Sequence, residues 1–128
     1  MTKAVRYYSR LGNTKTITEA IAEGAGVKAV SVTDEPELTQ RDDVLYLGGA
    51  PYANIMAPEL KAYAEKLESS KVGKVVLFTT SNWSRRTVLA LKKMLKAKNI
   101  RVSDEYFYAH MLHIKGRVDA AREFGRKE

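Results

Sequence analysis

The stretch Ser9-Arg10-Leu11-Gly12-Asn13-Thr14 joins a short apolar run, Ala4 to Tyr8, to a segment with helical spacing of apolar residues, about Lys15 to Glu23. A polar loop with a glycine between a strand and a helix directs backbone N–H groups and hydroxyls to one point. That point lies at the positive end of the helix dipole, where phosphate groups bind. The stretch therefore predicts a strand, a phosphate-binding loop and a helix, in that order.

Two widespread phosphate loops do not fit this stretch. A nucleoside triphosphatase loop needs G-x-x-x-x-G-K-[ST], and a dinucleotide-binding loop needs three glycines in G-x-G-x-x-G. The stretch has a single glycine, Gly12, and contains neither pattern. A helix N-cap that binds no ligand remains the alternative interpretation of these residues.

Five short runs of apolar or aromatic residues predict strands along the chain. They lie at about 4–8, 29–32, 44–48, 75–79 and 101–108. Three of them are nearly continuous apolar runs, which is typical of a parallel sheet covered on both faces. Arg6 falls within the first strand, so its charged group needs a carboxylate or a route to the end of the sheet.

Apolar residues at helical spacing predict helices between these strands. The stripes consist of Leu60, Tyr63, Ala64 and Leu67, and of Val88, Leu91 and Leu95; Ala121, Phe124 and Gly125 indicate a short C-terminal helix. The connection from Thr33 to Asp43 is too short and polar for a full helix, and we expect a turn there. The alternation predicts an α/β fold with a doubly wound, five-stranded parallel sheet.

Composition limits the classes of protein to consider. The chain has 128 residues, of which 45% are apolar, enough for one core, and we expect a single domain over residues 1–128. It contains no cysteine, so disulfides, thiolate catalysis and cysteine metal sites are excluded. No apolar run approaches the roughly 20 residues of a membrane span, and the N-terminus has no signal-peptide pattern. We therefore expect a cytoplasmic protein.

The pattern Ser-x-x-Gly-Asn-Thr resembles the [ST]-x-T-G-N-T phosphate loop of flavodoxins, with Leu11 where that family prefers threonine. The resemblance implies a flavodoxin-like, three-layer sandwich with strand order 2-1-3-4-5. It also implies FMN as cofactor. The residues expected around the phosphate are Ser9, Arg10, Leu11, Gly12, Asn13 and Thr14.

In folds of this type ligands bind beyond the carboxyl ends of the strands, where the strand order reverses. The loops after the third and fourth predicted strands match the ring-binding segments of flavodoxins in position. Their residues are Ala50, Pro51, Tyr52, Ala53 and Asn54, and Thr80, Ser81, Asn82 and Trp83. Tyr52 and Trp83 are the candidates for stacking on the flavin ring. The resemblance places backbone amides near Asn54 and Asn82 at the ring's polar edge.

No residue pattern indicates a hydrolytic catalyst, and a response-regulator receiver is excluded because its acidic positions hold Ser9 and Ala50. His110 and His113 are spaced i, i+3, but no carboxylate cluster accompanies them to favour a metal site. The leading interpretation is an FMN-binding electron-transfer protein. Two alternatives stay open. One is a binding module that has lost FMN and uses a basic face for a protein or nucleic-acid partner, and the other is a small FMN-dependent quinone reductase.

Charge separates this chain from the many acidic flavodoxins. It has 22 basic and 15 acidic residues, a net charge of +7. Arg85, Lys92 and Lys96 share one face of the helix that follows the Trp83 loop, beside Arg86 and Lys93. We expect an acidic redox partner to dock near this loop and helix, because such patches steer association. Nucleic-acid binding by the basic face alone is expected to be weak and non-specific.

Overall fold

The computed structural model describes residues 2–10, 12–52, 55–81 and 85–128, without the side chains of Tyr52 and Ile55. The strands are β1 (Lys3–Tyr8), β2 (Ala29–Ser31), β3 (Asp42–Gly49), β4 (Pro51–Tyr52), β5 (Ile55–Met56), β6 (Val72–Ser81) and β7 (Val102–His110). The α-helices are α1 (Asn13–Ala25), α2 (Pro58–Lys66), α3 (Arg86–Ala97) and α4 (Val118–Arg126). Two 3-10 turns, Met111–His113 and Lys115–Arg117, connect β7 to α4.

Five of these strands form one parallel sheet in the order β2-β1-β3-β6-β7. Without the small antiparallel pair β4–β5, this is the predicted order 2-1-3-4-5, and the α/β fold class is confirmed. The chain reverses its direction of winding between β1 and β3. The carboxyl ends of β1, β3 and β6 therefore lie side by side at one edge of the sheet.

The sheet separates two apolar cores, because both of its faces are covered by helices. Leu45 and Leu47 of β3 pack with α2 and α3 on one face. Tyr46 of β3 and Val5 of β1 pack with α1 and α4 on the other. The predicted stripes are confirmed as buried: Leu60, Tyr63, Ala64, Leu67, Val88, Leu91, Leu95, Ala121, Phe124 and Gly125.

Two features differ from the sequence-based expectation. The segment after β3 forms the short pair β4–β5, in which Pro51 lies opposite Met56, where only a loop was expected. The two 3-10 turns after β7 were also not predicted. The connection after β2 is a turn as expected, and its Asp34 and Glu35 amides donate to the Ser31 carbonyl at 3.0 and 3.1 Å.

Among the described residues, no helix is long and apolar enough to cross a bilayer.

Arg6 forms an ion pair with Glu35, as expected for a charged residue in a central strand. Its Nη2 lies 2.8 Å from Oε2 of Glu35, and its Nη1 donates to the Val5 carbonyl at 3.1 Å. The Arg6 side chain is only 11% exposed, whereas the Glu35 side chain is 49% exposed. The pair thus connects the turn after β2 to the central strand.

Because the charge of Arg6 is mostly removed from water, we expect Glu35→Ala to lower the free energy of unfolding by about 1 kcal/mol. The half-exposed position of Glu35 keeps the effect below that of a fully buried pair. Glu37→Ala, in the same turn and exposed, is the matched control. Urea unfolding of both variants checks this. Equal stabilities would show that the Arg6–Glu35 contact contributes nothing.

Candidate functional site

The described site residues lie at or just beyond the carboxyl ends of adjacent strands. Thr80 and Ser81, which were expected in a loop, are the last two residues of β6. Tyr8, the last residue of β1, lies opposite Gly49, and Gly48 lies opposite Phe78 of β6. Neighbouring strands are about 4.8 Å apart. Ser9 and Ala50, which follow these strands directly, are therefore neighbours at the same edge, and the end of β6 lies next to them.

The described residues between β1 and α1 end in a glycine at the N-cap of the helix. Gly12 has a φ of 90°, in the left-handed region that glycine adopts without strain. Its amide donates to Oγ of Ser9 at 3.1 Å, and its carbonyl accepts from the Thr16 amide at 3.1 Å. A Cβ at Gly12 would meet no atom within 4 Å, so glycine is needed here for the backbone conformation and not for space.

The N-terminus of α1 carries the positive end of the helix dipole. No side chain caps it among the described residues, and its first turn contains no acidic residue. The amides of a first helical turn have no intrahelical acceptor, so they remain available to an anion. In contrast, α2, which begins near the same edge, has Glu59 in its first turn.

Thr14 and Thr80 form a buried hydroxyl pair between α1 and β6. Their Oγ1 atoms are 2.6 Å apart, and the two residues are 2% and 1% exposed. A hydroxyl has one proton to donate and accepts up to two bonds. When Thr80 donates to Thr14, the proton of Thr14 is left for an anion at the start of α1. The Thr14 carbonyl also accepts from Thr18 Oγ1 at 2.6 Å.

The end of β6 is held by hydrogen bonds on both sides. Thr79 Oγ1 donates to the Gly49 carbonyl at 2.7 Å, and Tyr108 of β7 donates its hydroxyl to the Ser81 carbonyl at 3.1 Å. The guanidinium of Arg85 lies 4.7 Å from the Tyr108 ring centroid, a cation–π distance. These contacts fix where the loop between β6 and α3 begins and ends.

A polar cluster that the sequence did not reveal surrounds Arg10. Tyr8 donates its hydroxyl to Oε2 of Glu59 at 2.8 Å, and Arg10 Nε lies 3.3 Å from that hydroxyl. Nη2 of Arg10 is 3.8 Å from Oε1 of Glu59. The backbone N–H of Glu59, then the Tyr8 hydroxyl and Arg10, lower the pKa of this carboxyl. The acid after Pro58 in a first helical turn was the available signal.

The remaining predicted site residues differ in their exposure, and some lie outside the described part of the chain. Asn13 is exposed, Ala50 and Pro51 are half-buried, and Ser81 is buried. Five others lie outside the described residues and stay predictions: Leu11, Ala53, Asn54, Asn82 and Trp83. The stacking role of Tyr52 also stays a prediction, since its side chain is not described.

His110, the last residue of β7, contacts the ring of His113 in the following 3-10 turn and also a backbone amide. Their ring centroids are 5.4 Å apart, and Nδ1 of His110 accepts from the Leu112 amide at 3.1 Å. Within ranges 2–10, 12–52, 55–81 and 85–128, no group of three or more His, Cys, Asp or Glu side chains could hold a metal ion.

Nearly the whole chain superposes on solved flavodoxin structures. A flavodoxin from the domain Archaea matches with a TM-score of 0.79 at 17% identity, over 98% of this chain and 94% of the other. The flavodoxin, WrbA-like protein from Agrobacterium tumefaciens gives a TM-score of 0.77 at 18% identity, over 99% and 94%. Two-electron reduced Megasphaera elsdenii flavodoxin gives 0.68 at 21% identity, over 98% and 99%.

No family model matches the chain, and no curated protein does. The agreement with the solved structures instead extends over the full sheet and its helices, in the strand order described above. The protein therefore has the flavodoxin-like fold.

Proposed function

We propose that this protein binds FMN and acts as an electron carrier. The observation that carries the proposal is the start of α1, where a left-handed Gly12 precedes an uncapped helix whose first turn has no acidic residue. This helix end lies beside the carboxyl ends of β3 and β6. Solved structures that match this chain over most of both lengths include flavodoxins.

The described donors fit the phosphate of FMN. A phosphate monoester carries close to two negative charges and accepts several hydrogen bonds. The amides at the start of α1 and the hydroxyls of Ser9 and Thr14 are donors of the required kind. Arg10 adds a positive charge, which Glu59 partly offsets at 3.8 Å.

We propose that the ring system binds between the loops after β3 and β6. Tyr52 and Trp83 are the stacking candidates, at about 1 to 3 kcal/mol for each contact by analogy with base stacking. Pro51 limits the backbone freedom of the first loop. FMN, when bound, supplies the one- and two-electron chemistry, while the chain supplies binding, orientation and electrostatics.

A carrier and a quinone reductase give different results in one anaerobic experiment. The FMN-loaded protein is first reduced by dithionite and then mixed with ferricyanide, a one-electron acceptor. We expect complete and reversible reoxidation. In a second arm, NADH or NADPH is added with a quinone and no other protein. A carrier consumes neither nicotinamide, whereas catalytic consumption would establish the quinone reductase instead.

Two observations favour the binding module without FMN as the second candidate. The Thr14 hydroxyl, a predicted phosphate ligand, is already bonded to Thr80 at 2.6 Å. Leu11 also replaces a hydroxyl that the family loop normally has. Absence of FMN binding by the folded protein would select this candidate. In either case we propose a cytoplasmic protein with an acidic partner.

A further inference from the structure

Helix α3 has an exposed leucine surrounded by cations. The side chain of Leu89 is 62% exposed. Its neighbours on the helix surface, three and four residues away on each side, are Arg85, Arg86, Lys92 and Lys93. No acidic residue occurs anywhere in the helix, whose sequence is RTVLALKKMLKA. The arrangement is an apolar contact point inside a positively charged rim.

Leu89 also borders an apolar groove between α2 and α3. The groove has a volume of about 850 Å³. Met56, Ala90 and Met94 form apolar parts of its wall, and its two charged lining residues, Lys61 and Arg86, are both cations. Met56 belongs to β5, and Arg86 begins α3, so the groove adjoins the elements that flank the predicted ring loops.

Part of the positive charge around this groove has no counter-charge within the described protein. Lys92 lies 3.7 Å from Asp104, and Arg85 packs on the Tyr108 ring. Among the described residues, Lys61 and Lys93 have no ion-pair partner. A ligand that brings carboxylates to these two lysines would form new ion pairs without breaking existing ones.

We propose that the groove between α2 and α3 binds an acidic, amphipathic segment of a partner protein. The segment would insert an apolar side chain against Leu89 and Met94 and place carboxylates near Lys61 and Lys93. A nucleic acid offers phosphates but no aliphatic side chain for the groove. A second copy of this chain would bring another net charge of +7 against the same positive rim.

Binding at this groove does not depend on flavin, so its test stands apart from the proposed function. The probe is a fluorescein-labelled peptide with leucines at i, i+3 and i+7 and glutamates at its other positions. Control probes are the same peptide with serine at the leucine positions, poly-glutamate of equal length, and single-stranded DNA of equal charge. Fluorescence anisotropy at 150 mM salt measures the affinity of each, with cofactor-free protein.

Leu89→Ser removes the apolar contact, and Leu112→Ser is the matched control because Leu112 is 77% exposed outside the groove. We expect the leucine peptide to bind the wild type and the Leu112→Ser protein equally. Leu89→Ser should weaken it about tenfold, since the variant loses the apolar surface that Leu89 would bury against the peptide. Lys61→Glu with Lys93→Glu should weaken it further, in the same direction.

Three results would overturn the proposal. One is no binding of the leucine peptide by folded wild-type protein. The second is equal affinity for the leucine peptide and poly-glutamate, with no effect of Leu89→Ser, which would reduce the surface to a general cation patch. The third is tighter binding of DNA than of the peptide. Circular dichroism of each variant verifies folding, and amide chemical shifts on α2 and α3 report the location.

Discussion

Replacing Gly125 by alanine should destabilise the protein by about 3 kcal/mol, although alanine favours a helix by about 1 kcal/mol over glycine. Gly125 lies in α4 where this helix crosses α1. A Cβ there would be 2.0 Å from the Ile21 carbonyl oxygen and 2.9 Å from its carbon. Those are backbone atoms, so no side-chain rotation relieves the contact, and the helices must separate.

Separating α1 from α4 would also disturb the core beside their crossing. Gly24 faces α4 in the same way, with a Cβ position 1.9 Å from the Arg122 carbonyl oxygen. Tyr46 of the central strand donates its hydroxyl to the Gly125 carbonyl at 3.0 Å. Moving α4 outward would lengthen this bond and loosen the packing of Phe124.

Chemical denaturation of Gly125→Ala is compared with Gly116→Ala. A Cβ at Gly116 would meet no atom within 4 Å, so this control carries the same substitution without the contact. We expect the Gly116 variant to unfold within about 0.5 kcal/mol of the wild type. A Gly125→Ala protein as stable as the wild type would contradict the close crossing of α1 and α4.

Thr14→Val should weaken FMN binding by about tenfold to a hundredfold and leave riboflavin binding unchanged. A hydrogen bond to a charged group contributes about 1.5 to 3 kcal/mol, and each 1.4 kcal/mol is a tenfold change in affinity. Valine keeps the shape of threonine but lacks the hydroxyl. Riboflavin has the same ring without the phosphate, so its affinity does not report on the start of α1.

Thr80→Val is the matched variant for this prediction. Each variant removes one member of the same buried pair, whose Oγ1 atoms are 2.6 Å apart. Each therefore leaves one buried hydroxyl without its partner, and both should lose about 1 to 3 kcal/mol of stability. Only Thr14→Val removes a phosphate donor. Because Thr80 belongs to the predicted ring-binding segment, any loss caused by Thr80→Val should affect FMN and riboflavin equally. An equal loss of FMN affinity relative to riboflavin in the two variants would show that the pair acts through structure alone.

The sequence predicted the sheet because its signals are local and strong. Buried runs such as Val75 to Thr79 and the stripe from Leu60 to Leu67 need no distant residue to be recognised. The β4–β5 pair was missed since two-residue strands have no periodicity. Gly125 was correctly included in the C-terminal helix. Its close contact with Ile21 depends on a helix crossing that only the tertiary structure shows.

For the candidate site, too, the sequence indicates local features but not contacts between distant residues. The prediction of a phosphate loop from Ser9 to Thr14 rests on the residues alone and stays a prediction, although the described part has a left-handed glycine and a helix start without a side-chain cap. The pairing of Thr14 with Thr80 joins residues 66 positions apart. The contact of Tyr8 with Glu59 joins residues 51 positions apart. Neither follows from spacing, because both arise where strand ends and helix starts meet.

The most direct test of the account is a fluorescence titration of FMN into purified, cofactor-stripped protein, with riboflavin as the phosphate-free control. We predict saturable quenching with a Kd below about 1 μM, and riboflavin at least about tenfold weaker. That result would show that the protein recognises the phosphate of FMN, and it would support electron transfer as the function. Equal affinities for the two flavins, or no binding of either by folded protein, would contradict it.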